Sequence, residues 1–71
     1  MPGFTHIPNV KKLRDRLGLT QEAFAATYRI PLATLRDWEQ GRKLTDAPAR
    51  AYLTVISRNP EAIAGLLGAA A

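Results

Sequence analysis

Helix-breaking residues divide this chain into short segments, and apolar residues recur at helical spacing within the segments. Gly18, Pro31, Gly41 and Pro60 stand between them. Because glycine and proline disfavour the interior of an α-helix, no helix of this chain can be long. No stretch alternates convincingly between apolar and polar residues as a half-buried strand does. The pattern therefore predicts an all-α fold of five short helices.

The first two helices are predicted from residues that favour helix ends. Asn9 can cap a first helix, and Gly18 can end it. Thr20 can cap a second helix over Gln21–Tyr28. Apolar spacing assigns to the interior Val10, Leu13 and Leu17 from the first helix and Phe24, Ala25 and Tyr28 from the second.

Three further helices are predicted in the same way. Pro31 fits the first turn of a third helix, which Gly41 ends. Asp46 can cap a fourth helix, and the pair Asn59–Pro60 can begin a fifth, which Gly68 ends. The apolar faces of these three helices are formed in turn by Leu35 and Trp38, by Tyr52, Leu53 and Ile56, and by Ile63, Leu66 and Leu67.

Length and composition indicate one domain with short ends. The 71 residues provide for a single hydrophobic core. Residues 1–8 contain two prolines and one glycine and lack apolar periodicity, so they are predicted to form a flexible N-terminal arm. We assign residues 9–68 to the domain and residues 69–71 to a frayed tail.

The charge of the chain favours nucleic acid as a partner. The formal net charge is +4 and the isoelectric point is about 10.1. A basic chain attracts anionic partners, of which nucleic acid is the first to consider. From Pro60 onward the chain carries one charged side chain, that of Glu61. The anion-binding face is therefore expected in the first two thirds of the sequence.

Composition argues against several other classes of protein. The chain has no cysteine and a single histidine, His6, so neither a thiol nucleophile nor a zinc site is expected. It also lacks a phosphate-binding glycine loop, and we predict no catalytic residue, no metal site and no cofactor. No apolar run approaches the roughly 18 residues of a membrane span, and no signal-peptide pattern is present. These features favour the cytoplasm.

The second and third predicted helices have the arrangement of a helix-turn-helix motif over Gln21–Gln40. Such a motif joins two helices through a short turn and places the second helix in the major groove of DNA. Ala25 provides a small residue where the two helices cross, and Leu35 faces it. Trp38 completes this core one turn later. The helix around Leu32–Gln40 is therefore the predicted recognition element.

Two sequence runs within Leu13–Arg42 resemble the Cro/C1 (Xre-type) family of helix-turn-helix proteins. These runs are Leu-Gly-Leu-Thr-Gln-Glu at 17–22 and Trp-Glu-Gln-Gly-Arg at 38–42. The resemblance implies a compact five-helix, lambda-repressor-like domain. It further implies a sequence-specific transcription regulator that binds double-stranded DNA.

A later stretch resembles a narrower group of proteins. Residues 46–63, with the sequence DAPARAYLTVISRNPEAI, are similar to HigA-type antitoxins and related stand-alone regulators. This likeness implies the antitoxin of a type II toxin–antitoxin pair, which represses its own operon and binds a cognate toxin protein. The alternative is a stand-alone transcriptional repressor with no toxin partner.

The family pattern assigns DNA contacts to individual positions. Gln21 matches a glutamine that approaches a phosphate at the positive end of a helix. Arg14 and Glu39 match a charged pair between the first and third helices, which explains an arginine on an apolar stripe. Arg29 occupies a turn position usually held by glycine, and it either reaches a phosphate or reflects a different turn geometry. The expected base readers are Leu32, Ala33, Thr34, Arg36 and Asp37, followed by the DNA-backbone contacts Gln40, Arg42 and Lys43.

The last predicted helix suggests a contact between copies of the chain. Ile63, Leu66 and Leu67 form an apolar patch that a small core does not necessarily cover. A two-fold homodimer would bury this patch and place two recognition helices about 34 Å apart, which matches a palindromic operator. The alternative is that these residues fold back onto the fourth helix.

Overall fold

Five α-helices and no strand make up residues 9–69, the part of the chain that the computed structural model describes. The all-α prediction is therefore confirmed. The predicted arm and the last two residues of the predicted tail lie outside the described residues. The helices are α1 (Val10–Leu17), α2 (Gln21–Tyr28), α3 (Leu32–Glu39), α4 (Ala47–Arg58) and α5 (Pro60–Ala69).

Side chains cap the starts of α1, α2 and α4 as the sequence predicts. The Asn9 side chain accepts a hydrogen bond from the backbone N–H of Lys12 at 3.0 Å. Thr20 and Asp46 accept equivalent bonds at 3.0 and 2.9 Å at the starts of α2 and α4. Each cap satisfies a backbone donor that has no partner within the helix, which stabilises the helix by about 1 kcal/mol.

Two helix ends differ from the prediction. Pro31 has ψ 133°, outside the helical range, and its carbonyl accepts from Leu35 N at 3.0 Å. It is therefore the residue that precedes α3, not part of its first turn. Gly68 does not end α5, which continues to Ala69. A single glycine in a last turn costs at most about 1 kcal/mol, which does not suffice to stop a helix.

The hydrophobic core holds α3 in place. Phe24, Leu35, Leu53 and Ile56 are fully buried, one each from α2 and α3 and two from α4. Helix α2 packs against α3 and α5, while α1 also packs against α3. The recognition helix of the prediction is thus supported from two sides, with its outer face left open.

Two tyrosine hydroxyls connect the last two helices to α2. The Tyr52 hydroxyl donates to the Tyr28 carbonyl at 2.6 Å, and the Tyr28 hydroxyl donates to the Pro60 carbonyl at 3.1 Å. Burial raises the pKa of both hydroxyls above the usual 10.0. Both groups therefore keep the proton that they donate at neutral pH.

The apolar patch predicted as a dimer interface is largely used within the chain. Ile63 and Leu67 are partly buried and pack against the core, because α5 lies across α2 and α4. Leu66 is 71% exposed. The alternative of folding back therefore accounts for two of the three residues, and Leu66 alone is left open to a second copy.

Candidate nucleic-acid interface

The turn between α2 and α3 depends on a left-handed residue. Arg29 has φ 59° and ψ 41°, and its backbone N–H bonds to the Ala25 carbonyl. Ile30 follows, is buried, and donates to the same carbonyl at 3.0 Å. A non-glycine residue in this conformation costs about 1 kcal/mol or more. The turn therefore has the left-handed geometry that favours glycine, so the interpretation of a different turn geometry is wrong.

The side chain of Arg29 makes a contact within the fold, and its expected contact with a phosphate stays a prediction. Its Nη2 donates to the Leu67 carbonyl in the last turn of α5 at 2.9 Å. Cations near the C-terminus of a helix are stabilised by the unsatisfied carbonyls there. Arg29 thus joins the motif's turn to α5 through an exposed hydrogen bond.

Helix α3 has one buried face and one open face. Leu35 is fully buried, and Trp38 packs against the core as the sequence predicts. Ala33 is exposed and Thr34 is partly exposed. Leu32 was expected among the base readers, but it packs against the hydrophobic core. It occupies the first position of α3, where its side chain covers the edge of the core.

An ion pair on the inner side of α3 connects this helix to α1. Arg14 Nε donates to Glu39 Oε2 at 2.8 Å, and Arg14 Nη2 donates to Oε1 at 2.9 Å. The two side chains are only 13% and 5% exposed. Arg14 Nη1 also donates to the Leu19 carbonyl at 3.1 Å. This two-pronged contact fixes the orientation of both side chains and the spacing of α1 and α3.

Gln21 extends this ion pair to the open face of α3. Its Nε2 donates to Glu39 Oε1 at 3.1 Å, and its Oε1 accepts from Arg36 Nε at 3.3 Å. Both polar atoms of the Gln21 amide therefore have hydrogen-bond partners within the protein. The Gln21 side chain therefore orients Arg36. The contact of Gln21 with a phosphate stays a prediction.

Hydrogen bonds from Arg14 hold the pKa of Glu39 below its ordinary value of 4.5. Burial acts in the opposite direction, and a further hydrogen bond from Gln21 lowers this pKa again. For Arg14 the hydrogen bond to Glu39 raises the pKa, against the effect of burial. Both groups are therefore charged over the whole neutral range.

Acid should remove the stabilisation that Glu39 provides. Its folded pKa lies below its unfolded one, so the contribution is complete above about pH 5 and is lost as the pH falls through the folded pKa. We expect the free energy of unfolding, measured by urea titration at stepped pH, to fall more steeply with decreasing pH in the wild-type protein than in Glu39→Gln. Glu61→Gln removes an exposed carboxyl and should keep the steep dependence. Equal slopes for all three proteins would contradict the role of Glu39.

A contact between α2 and α3 involves a residue that sequence reasoning did not assign to the site. Arg36 Nη2 lies 3.2 Å from Glu22 Oε2, and the two side chains are 43% and 65% exposed. Sequence spacing gives no signal for this pair, because the residues are 14 positions apart on different helices. Glu22 belongs to the same surface as the expected base readers.

Asp37 organises the segment that follows α3. Its carboxylate lies 3.0 Å from Arg42 Nε and 3.8 Å from Lys43 Nζ. Its backbone carbonyl accepts from the N–H groups of the same two residues at 2.9 and 3.4 Å. Gln40 is exposed beside them, and Gly41, with φ 74°, turns the chain away from α3.

These contacts bring most of the expected DNA-contacting residues onto one surface. The start of α2, the open face of α3 and the segment after it form this surface, which we call the α3 face. Arg29 and Leu32 are directed to contacts within the fold. Among residues 9–69, no group of acidic, histidine or cysteine side chains is placed to hold a metal ion. In the same range, no helix has the length and apolarity to span a membrane. The residues of the α3 face are Gln21, Glu22, Ala33, Thr34, Arg36, Asp37, Gln40, Arg42 and Lys43.

The chain is similar to known proteins in sequence and in fold. The family model described as helix-turn-helix matches residues 10–60. The crystal structure of an HTH XRE-family like protein from Agrobacterium tumefaciens is 58% identical in sequence and superposes with a TM-score of 0.83. That match covers 84% of this chain and 97% of the other. A search among curated proteins gave no match. The chain belongs to the helix-turn-helix family of DNA-binding transcription regulators.

Proposed function

We propose that this protein is a sequence-specific transcription regulator that places α3 in the major groove of its operator. The observation that carries the proposal is the division of α3 into two faces. Leu35 is fully buried, while Ala33 is exposed and the Arg36 side chain is 43% exposed. A helix held in this way can present base-reading side chains at fixed positions.

The residues of the α3 face divide into two kinds of contact. Arg36 suits guanine, whose O6 and N7 accept a pair of hydrogen bonds. Ala33 and Thr34 suit the methyl group of thymine, and Asp37 can accept from N4 of cytosine. Phosphate contacts come from the start of α2 at Gln21 and from the segment after α3. Its DNA-backbone contacts are Gln40, Arg42 and Lys43.

The test is a gel-shift titration of this protein against its own upstream DNA and against random duplex, over a series of salt concentrations. We expect preference for the upstream DNA and a fall in affinity with salt, because phosphate contacts release counterions. The slope of log K against log salt should be about −0.9 for each phosphate contact. Equal affinity for both duplexes would reject sequence specificity, and absence of binding at low salt would reject DNA binding.

Replacement of Arg36 and replacement of Arg42 should change DNA binding in different ways. Replacing Arg36 with alanine should reduce discrimination between operator and mutated operator by about 1–3 kcal/mol, since a base contact is lost. Replacing Arg42 should weaken all duplexes alike and reduce the salt slope by about 1, since a phosphate contact is lost. Arg58→Ala removes the same charge from the last turn of α4 and should change neither quantity. The same profile for all three variants would contradict the division of roles.

We extend the proposal to a homodimer on a palindromic operator. Exposure of Leu66 on α5 supports it, because an open leucine beside partly buried apolar neighbours offers a contact to a second copy. The expected result is a dimer in analytical ultracentrifugation at tens of micromolar, about the range of ordinary dimer affinities. Leu66→Lys should shift the protein to monomer, whereas a wild-type monomer at that concentration would reject the dimer.

For the biological setting we propose the antitoxin of a type II pair that represses its own operon. The likeness of residues 46–63 to HigA-type antitoxins supports it. The alternative is a stand-alone repressor. The two are separated by adding the product of the neighbouring gene to the gel shift and by testing whether the two proteins copurify. A stable complex supports the antitoxin, and no complex supports the stand-alone repressor.

A further inference from the structure

The cations of the α3 face are already paired with carboxylates of the same surface. Arg36 lies 3.2 Å from Glu22, and Arg42 lies 3.0 Å from Asp37. Lys43 lies 3.8 Å from the other oxygen of Asp37. Each positive group that the proposed function directs to DNA therefore has an anion beside it before any DNA arrives.

These pairs can be exchanged by a ligand. The side chains of the three cations are 43%, 59% and 75% exposed in the order Arg36, Arg42 and Lys43. Ion pairs at such exposure contribute little to stability, so an incoming anion can replace the carboxylate. Exchange has a cost, because the displaced carboxylate of Glu22 or Asp37 stays close to the incoming negative charge.

We propose that Glu22 and Asp37 act as internal competitors that limit the affinity of the α3 face for polyanions that offer charge alone. When a phosphate displaces a carboxylate from one of these cations, one anionic partner replaces another, so the net gain in binding free energy is small. Within the protein, Arg36 donates one hydrogen bond to Glu22 and one to the neutral amide of Gln21. A guanine edge offers two directed acceptors, O6 and N7, in their place without adding a negative charge at the base. The two carboxylates thus determine which class of anionic partner is retained. This inference rests on the proposed function for the identity of the interface.

The difference in burial between the two carboxylates assigns them separate effects. Glu22 is 65% exposed in the first turn of α2 and restrains one cation. Asp37 is 22% exposed and restrains two, at the end of the recognition helix. Removal of the Asp37 charge should therefore raise polyanion affinity more than removal of the Glu22 charge.

The experiment compares Glu22→Gln and Asp37→Asn with a matched control, Glu61→Gln. Glu61 is also an exposed glutamate in the first turn of a helix, and it makes no ion pair with another described residue. All three variants gain one unit of charge. Affinities for random duplex and for heparin are measured at equal salt. We expect Glu22→Gln and Asp37→Asn to bind both polyanions about three- to tenfold more tightly than Glu61→Gln.

The outcomes separate this inference from the proposed function. Equal gains for all three variants would overturn it, because net charge alone would then explain the result. A gain on heparin in a protein without operator preference would support the internal competition and reject the proposed function. If the protein prefers its operator but neither variant gains polyanion affinity over Glu61→Gln, the proposed function is supported and the internal competition is rejected. Glu22→Gln keeps the test valid if Asp37→Asn lowers the melting temperature, since among residues 9–69 the Glu22 side chain makes one hydrogen bond, the exposed one to Arg36.

Discussion

Replacing Leu35 with alanine is expected to lower the free energy of unfolding by about 3 kcal/mol. Leu35 is fully buried at the centre of α3, within a core that draws on four helices. Truncation removes apolar contacts and leaves a cavity, because the neighbouring side chains relax only in part. A domain of this size has about 4 to 10 kcal/mol in total, so the loss is a large share of its stability.

Two leucine variants make this expectation specific. Leu44 is 89% exposed, so Leu44→Ala should change the free energy of unfolding by no more than about 0.5 kcal/mol. Leu35→Met keeps most of the volume and should cost less than about 1.5 kcal/mol. Urea denaturation followed by circular dichroism measures all three. Equal losses for Leu35→Ala and Leu44→Ala would contradict the burial of the inner face of α3.

The helix pattern could be predicted from the sequence because it is decided locally. Asn9, Thr20 and Asp46 bond to backbone groups three residues further along, so their effect is present in the sequence itself. Pro31 and Gly68 mark the limit of such reasoning. Both residue types allow more than one position at a helix end, and the choice depends on hydrogen bonds of the folded chain.

The contacts of the α3 face depend on distances that sequence spacing does not contain. Glu22 and Arg36 are 14 residues apart, and Arg29 and Leu67 are 38 apart. A pattern can show that a cation stands on an open helix face. It does not show which anion or carbonyl the fold brings beside that cation. For this reason the position of Arg36 was predictable, and its partner Glu22 was not.

The apolar face of α5 illustrates a different limit. Periodicity shows that Ile63, Leu66 and Leu67 share a side of a helix, and it predicts burial for that side. The covering surface is a property of the tertiary fold. Here the chain's own core covers Ile63 and Leu67, and Leu66 lies at the margin.

The second large effect is expected from Arg14→Ala, which should lower the free energy of unfolding by about 3 kcal/mol. Glu39 is 5% exposed, and without Arg14 its remaining donor in the described contacts is Gln21 Nε2 at 3.1 Å. One amide hydrogen bond does not replace two from a guanidinium, so a buried charge is left incompletely neutralised. The Leu19 carbonyl loses its guanidinium donor as well.

A double-mutant cycle distinguishes the pair from two independent contributions. The single variants of the cycle are Arg14→Met and Glu39→Leu. Both should destabilise, because each leaves the other charge buried without its partner. The double variant Arg14→Met with Glu39→Leu removes both charges and fills the space with apolar side chains, so it should recover much of the loss. Additive losses would mean that the contact between α1 and α3 has no energetic coupling. Strong coupling would mean that α1 fixes the position of α3 through this pair, and Gln21 would carry that constraint from Glu39 to Arg36 on the α3 face.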